Sequence, residues 1–342
     1  MSVGKVNQKK RIGWMDVFRG LGIMFMILGH VNFTESFNIY IHAFHMPMFF
    51  FVTGYFYGMK KMSYKDFLLH DLRTLIIPYF VFFLLFQPLH YIYTKEFDFY
   101  YMIKSFFSSN HNRIDVSGVL WFLLCLFTCK QIFYWLEKIL HGYALTAMIV
   151  LLTLLGNLVP VKLPLCMDSA LSCLAVLYAG YLVKKYSTNI VVEKMMNIPI
   201  IINVLLMILN VVCIFLNEPV NIRTNDYGNI LLYWTNCILA IFCWINWAKY
   251  IEKSSVKVIR TANRALQYLG KNSIVYLTLN EMAIAGMIFT LGFGGFSFTN
   301  DLSKVKFFLL KSVVLVGVFV LVTLTNIIVD KTKLKIFFGK SI

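Results

Sequence analysis

Apolar residues run along this chain in long blocks separated by short polar intervals. Ten such blocks fall near 14-33, 39-58, 75-94, 118-136, 143-159, 168-184, 198-216, 229-248, 273-291 and 307-329, each about 17 to 23 residues long, which is what a helix needs to cross a bilayer. The pattern predicts an all-α fold: a polytopic membrane helix bundle with about ten transmembrane helices. No Pro/Ser-rich linker, low-complexity tract or repeat of fixed period divides the chain, and no soluble stretch follows the last block. A single membrane domain over 1-342, without a soluble C-terminal domain, is expected. The first block carries Asp16 and Arg19, lacks a small-residue cleavage site and runs on into a second block, so it does not read as a removable signal peptide.

Two intervals depart from plain loops. Between 249 and 271, Ile259, Ala262, Leu266 and Leu269 share one side of a helix while Lys257, Arg260 and Arg264 share another, which predicts an amphipathic helix lying on the inner leaflet. The polar and aromatic interval 95-117 suits either a cap over an external opening or an ordinary loop.

Charge changes the picture only through its sidedness. The 342 residues include 32 Lys and Arg against 16 Asp and Glu, for a net +16. In a soluble protein that excess would suggest nucleic acid, but with 59% hydrophobic residues the question becomes which membrane face holds the cations. With the N-terminus inside, 23 Lys and Arg face inward and 8 outward, and Arg19 lies within its span. Both termini are therefore expected to be cytoplasmic, and no nucleic-acid partner is expected. The seven cysteines lie mostly inside apolar runs without Cys-x-x-Cys spacing, as small core residues do.

The chemistry concentrates in the first two blocks. Arg19 and His30 are eleven residues apart on the first predicted helix, three turns plus about 20°, so they share a face and stand roughly 16 Å apart along the axis. Ionisable groups in a span point to function, and this spacing suits a long ligand held by its charged end and reacting at its tip. His42 and His45, at i and i+3, are expected on one face of the second helix at the depth of His30. Pro47 follows closely and can kink that helix and free a carbonyl. His30 reads as an acid/base or acyl-accepting group, against a structural imidazole or a three-histidine metal site. Arg19 has an ordinary partner in Asp16 at i−3. Arg73 and Lys65 lie where topological anchors usually sit, and Glu281, beside Asn280, lies midway along the ninth block, where a carboxylate needs a partner or a proton.

Several stretches, in order, carry a resemblance: Arg19 with ten residues before His30, Phe44-His-Met-Pro-Met-Phe-Phe-Phe-Val-Thr-Gly-Tyr55, Arg73 ahead of Ile77-Pro-Tyr79, Ser117-Gly-Val-Leu-Trp121, and Leu269-Gly-Lys-Asn-Ser-Ile-Val-Tyr276. Together the chain resembles the acyltransferase 3 family of integral-membrane O-acyltransferases, in its fucose 4-O-acetylase-like branch. The resemblance implies transfer of an acyl group, in practice acetyl, from cytosolic acetyl-coenzyme A to a carbohydrate or lipid-linked glycan, usually a bacterial surface polysaccharide. It implies a multi-pass protein of the bacterial plasma membrane in contact with lipids, and it leaves a homo-oligomer open. The family's essential pair falls on Arg19 and His30. His45 and Glu281 complete the expected catalytic set; Asn280 stands where relatives often carry a His, whose role would fall to Glu281 or Asn280. Arg19, Arg73, Ser117, Trp121 and Lys271 form the expected donor-binding set; His70 and Asp71 replace further basic residues of the Arg73 motif, and Thr53 replaces a Ser. No metal is expected. The rival reading from the residues is a transporter or flippase for a lipid-linked sugar or acyl intermediate, with a polar pathway through Arg19, His30, His45 and Glu281.

Overall fold

The computed structural model describes residues 11–57, 62–95, 99–107, 118–158, 163–296 and 303–340. Among these the chain is helical without named strands: α1 Gly13–Val31, α2 Glu35–His42, α3 His45–Tyr57, α4 Tyr64–Asp71, α5 Ile77–Thr94, α6 Phe99–Phe107, α7 Trp121–Ile139, α8 Gly142–Leu158, α9 Met167–Lys185, α10 Ile190–Met195, α11 Ile200–Leu216, α12 Ile230–Lys253, α13 Lys257–Lys271, α14 Ser273–Phe293 and α15 Lys304–Lys331. Seven helical stretches are long and apolar enough to cross a membrane; α8 and α11, at 17 residues each, are shorter apolar helices. The protein is a multi-pass membrane helix bundle.

α1 is the axis of the bundle. Of its apolar stretch 72% is buried, against 17% for α15, because α1 is apolar nearly all round and a helix of that kind belongs inside. Lipid supplies little hydrophobic drive between helices, so close packing at small residues carries the association. Gly54 of α3 lies against the Leu177 carbonyl of α9, and Gly180 of α9 against the Phe51 carbonyl of α3, leaving no room for a side chain at either place.

Two expectations change. The second predicted span is divided: α2 ends at His42, a turn at Ala43 and Phe44 intervenes, and α3 begins at His45. Pro47 has no N–H to donate to the Ala43 carbonyl four residues back, so the ladder fails there and the helix is interrupted rather than kinked. His42 and His45 are thus on two helices, although their rings still meet edge to face with centroids 5.1 Å apart. The amphipathic segment does form α13, but its apolar face does not simply rest on lipid. Leu266, Leu269 and Gly270 are buried, and α13 packs closely along α1, Gly20 lying against the Leu266 carbonyl and Gly270 against the Asp16 carbonyl. Within the interval 95-117 the described helix is α6. Tyr79 donates its hydroxyl to the Phe106 carbonyl, and the rings of Tyr79, Phe80 and Phe83 gather about Phe106, so α6 folds back along α5.

Candidate active site

At the Arg19 end of α1 the bundle encloses a cavity of about 910 Å³, toward the upper end of the range for small-molecule sites. α7 contributes Leu123, Leu126, Lys130, Tyr134, Glu137 and Lys138, a stripe at helical spacing that turns from apolar to polar along one face. α9 adds Tyr181, Lys184 and Lys185, α3 adds Phe49, Val52, Thr53 and Phe56, and α14 adds Ser273, Ile274 and Leu277. The lysines lay their stems over rings: Lys130 Nζ stands 5.1 Å from the centre of Phe67, Lys184 Nζ 5.5 Å from Tyr55 and Lys185 Nζ 5.6 Å from Tyr181. With Arg19 these cations far outnumber the one lining carboxylate, Glu137, and make the cavity a receptacle for a polyanion with an apolar arm.

Arg19 does two things at once. One guanidinium nitrogen donates to Asp16 Oδ1 at 2.7 Å, and Arg11 Nε donates to the other oxygen of the same buried carboxylate at 2.6 Å. The ordinary partner read from the sequence is therefore real, yet it occupies only part of the fork. Arg19 Nε has no hydrogen-bond partner among the described residues, its guanidinium lies 5.7 Å from the Phe56 ring centre, and the residue lines the cavity. A buried donor in that state is suited to a ligand oxygen.

The other expected donor-side residues are arranged differently. Arg73 sits in a π-helical turn, Leu72–Ile76, and is exposed; its neighbours His70, Thr74 and Leu75, not Arg73 itself, line the cavity. Asp71 is fully buried and accepts from Lys130 Nζ and from Gln131 Nε2 at 3.0 Å. It fixes a cavity lysine in place and is not a member of an anion clamp. Lys271 is exposed at the end of α13. Trp121 is buried at the start of α7 outside the cavity, and Ser117 lies outside the described residues.

At the opposite end of α1, His30 Nδ1 stands 3.6 Å from Glu281 Oε1 of α14. That separation is slightly longer than a hydrogen bond, as is common for catalytic pairs in free enzymes. His42 Nδ1 lies 2.9 Å from the Asn38 carbonyl and His45 Nδ1 2.9 Å from the Ile41 carbonyl. A carbonyl only accepts, so both rings carry their proton on Nδ1 and present Nε2 as an acceptor. His42 packs on the bare Cα of Gly29, where a methyl group would meet its Cε1 at 3.3 Å. Lys311 of α15 donates to the Val31 carbonyl at 2.8 Å and so caps α1 beside His30. Among the described residues no group of three His, Cys, Asp or Glu side chains is placed to hold a metal.

The two ends are joined by register. On α14, Leu277 lines the cavity and Glu281 follows four residues later; on α3, Phe49 lines it and His45 precedes by four; α1 carries Arg19 in the cavity and His30 beyond. Each four-residue step is about 6 Å along one face, so the histidine cluster lies about one turn past the cavity's end. Between them stand Phe49 and Phe122, ring centres 5.6 Å apart, and Met26, whose Sδ is 4.0 Å from Asn280 Nδ2. Sequence reasoning had counted Lys130, Lys138, Lys184 and Lys185 only as inward charges. The spacing of Lys130, Tyr134, Glu137 and Lys138, one face of a helix, is the signal that marks them.

A family model described as an acyltransferase domain, that of the acyltransferase 3 family, matches residues 12–331. No curated protein and no solved structure matches the chain significantly.

Proposed function

The chain belongs to the acyltransferase 3 family and is a membrane acyltransferase; on that premise we propose that it is an acetyl-coenzyme A-dependent O-acetyltransferase of a bacterial plasma membrane, acting on a hydroxyl of a cell-surface or exopolysaccharide sugar. The observation that carries this reading is the register just described. Three helices each line a cation-rich cavity and, further along, carry one member of the His30, His45 and Glu281 cluster.

In this reading the coenzyme's phosphates meet Lys138, Lys184, Lys185 and Lys130 at the cavity, and its thioester arm passes Arg19, whose Nε is available to an oxygen of the chain. Glu281 at Nδ1 sets the His30 ring so that Nε2 does the chemistry. That nitrogen takes the proton of the acceptor hydroxyl while its oxygen attacks the thioester carbonyl, or first accepts the acetyl group itself and passes it on; in both routes the thiolate leaves and is protonated. The charge asymmetry supports a cytosolic donor, since the cavity lysines fall on the side with 23 cations and Arg223 and Lys311, near His30, on the side with 8.

Incubating the purified protein with acetyl-coenzyme A labelled in the acetyl group tests the proposal. Label should move to native glycan in membrane vesicles, with release of the thiol, and quenched wild-type protein should show whether His30 carries it in transit. A protein that neither consumes nor binds acetyl-coenzyme A is not this enzyme. Single cysteines at Ser255 and Asn221 test sidedness: a membrane-impermeant reagent applied outside should label Asn221→Cys and spare Ser255→Cys.

A further inference from the structure

Arg223 enters the sequence reading only as one of the outward charges, yet the structure gives it a rigid mount. The segment between α11 and α12 closes on itself, Asn221 N–H donating to the Asp226 carbonyl at 2.7 Å and Asp226 N–H to that of Asn221 at 2.9 Å. Asn221 Oδ1 also accepts from Arg223 N–H at 3.2 Å. Ile222 and Tyr227, on either side, are buried. Ser169 of α9 ties the segment to the bundle, its Oγ lying 3.1 Å from the Ile222 carbonyl and 3.2 Å from Asn225 Oδ1, which also accepts from the Tyr227 hydroxyl at 2.9 Å. Asn225 takes a left-handed φ of 61°, which asparagine tolerates.

This mount brings a guanidinium to the same glycine that Glu281 approaches. A methyl group on Gly118 would stand 2.9 Å from Glu281 Oε1 and 3.2 Å from an Arg223 guanidinium nitrogen, so carboxylate and guanidinium converge over a Cα that carries no side chain. The same Oε1 is the atom that faces His30 Nδ1. We propose that Arg223 is a positioning residue for acyl transfer, holding the Glu281 carboxylate against His30 in space that Gly118 keeps open. The proposal rests on the transferase reading of His30. A carboxylate at this depth is costly unless paired. Shared with a guanidinium, it orients the ring without taking full possession of its proton. Among the described residues, the other polar groups about His30 include Asn38, His42 and His45 on either side of the α2–α3 turn and Lys311 at the end of α1; none of these is a carboxylate that could replace Glu281.

The test measures thiol release from acetyl-coenzyme A in native membrane vesicles, which contain the acceptor. Arg223→Ala should lower kcat roughly 10- to 100-fold with the donor KM within about twofold, and Arg223→Lys should recover part of the loss. In a Glu281→Gln background, Arg223→Ala should add little, because both changes remove one device. Independent losses that multiply, or a loss confined to donor KM, would overturn the proposal. A second measurement needs no donor: carbethoxylation of His30 by diethylpyrocarbonate, read by mass spectrometry with His141 as control. It should slow roughly threefold in Arg223→Ala, where Glu281 is no longer held at His30 Nδ1 and Nε2 loses nucleophilicity, and in Gly118→Ala, where the methyl parts the pair. Unchanged His30 labelling in both variants refutes the positioning role whatever the activity. Vesicles without thiol release would instead refute the transferase reading, and the labelling would still decide the role of Arg223.

Discussion

The cavity end and the histidine end of α1 are assembled in different ways. At the cavity, cations arrive from α1, α7 and α9, lean on aromatic rings and, apart from Lys130 and Arg19, have no buried carboxylate holding them among the described residues. At the histidine end each ring faces a specific oxygen: Glu281 for His30, at 3.6 Å, and the Asn38 and Ile41 carbonyls for His42 and His45, at 2.9 Å each. A diffuse set of mobile charges suits holding phosphates, where no single contact decides the outcome. A fixed set suits chemistry, where a proton must be on one nitrogen and not the other. Substitutions at the two ends should therefore fail differently, in size and in kind.

His30→Ala should give the largest loss, roughly 10³- to 10⁴-fold in transfer, with acetyl-coenzyme A still bound calorimetrically because the cavity is untouched. His45→Ala should cost about tenfold, as befits a ring that supports its neighbour. If the order is reversed, the chemistry belongs to α3. Next comes Asp71→Ala, which strips the buried carboxylate from Lys130 and Gln131. Breaking such a pair costs about 3 kcal/mol, so the apparent Tm in detergent should fall by several degrees, with donor affinity reduced as well. Lys184→Ala should raise donor KM only about five- to tenfold and leave kcat near wild type, and added salt should reproduce the same trend in the wild-type protein. A kcat loss there would erase the division of labour. Arg73→Ala should matter least, about twofold or less in donor affinity, because Arg73 is exposed and outside the cavity lining. A greater loss would return the phosphate end to the site expected from the Arg73 motif.

Much of the fold was legible because an apolar block long enough to cross a bilayer admits few structures. The block at 143-159 is α8, Gly142–Leu158, and that at 198-216 is α11, Ile200–Leu216. The interruption at Ala43 and Phe44 was hinted at by Pro47, but a missing N–H only weakens a helix locally; whether it bends or breaks depends on what packs around it. The apolar face of α13 was likewise visible, while its partner was not. Amphipathicity says that something covers a face, and only the matched Gly20 and Gly270 point to α1 rather than lipid.

At the site, Arg19 and His30 could be related because eleven helical residues have a fixed geometry. Glu281 stood out by its depth, but its meeting with His30 is a contact between helices some 250 residues apart in sequence, beyond the reach of any local period. The cavity lysines were hidden by their number, since inner-end cations are common whatever their role. Arg223 was hidden by its place in a loop, where no periodicity says which way a side chain points.

The last described turn, Lys333–Phe338, and the two residues after it add a mechanical element. Lys340 Nζ donates to Asn272 Oδ1 at 3.0 Å, Asn326 Oδ1 at 2.9 Å and Asp330 Oδ1 at 2.7 Å. Gly339 meanwhile sits on the backbone of Arg73 and Thr74, where a methyl would come within 2.6 Å of the Arg73 carbonyl. Thr74 and Leu75, at the second of these joints, and Ser273 and Ile274, next to the first, all line the cavity. One ammonium group and one glycine thus form a strap between two segments that line the cavity. Cutting that strap should let the walls breathe, seen as faster amide hydrogen exchange at both joints, while His30 and its neighbours keep their protection.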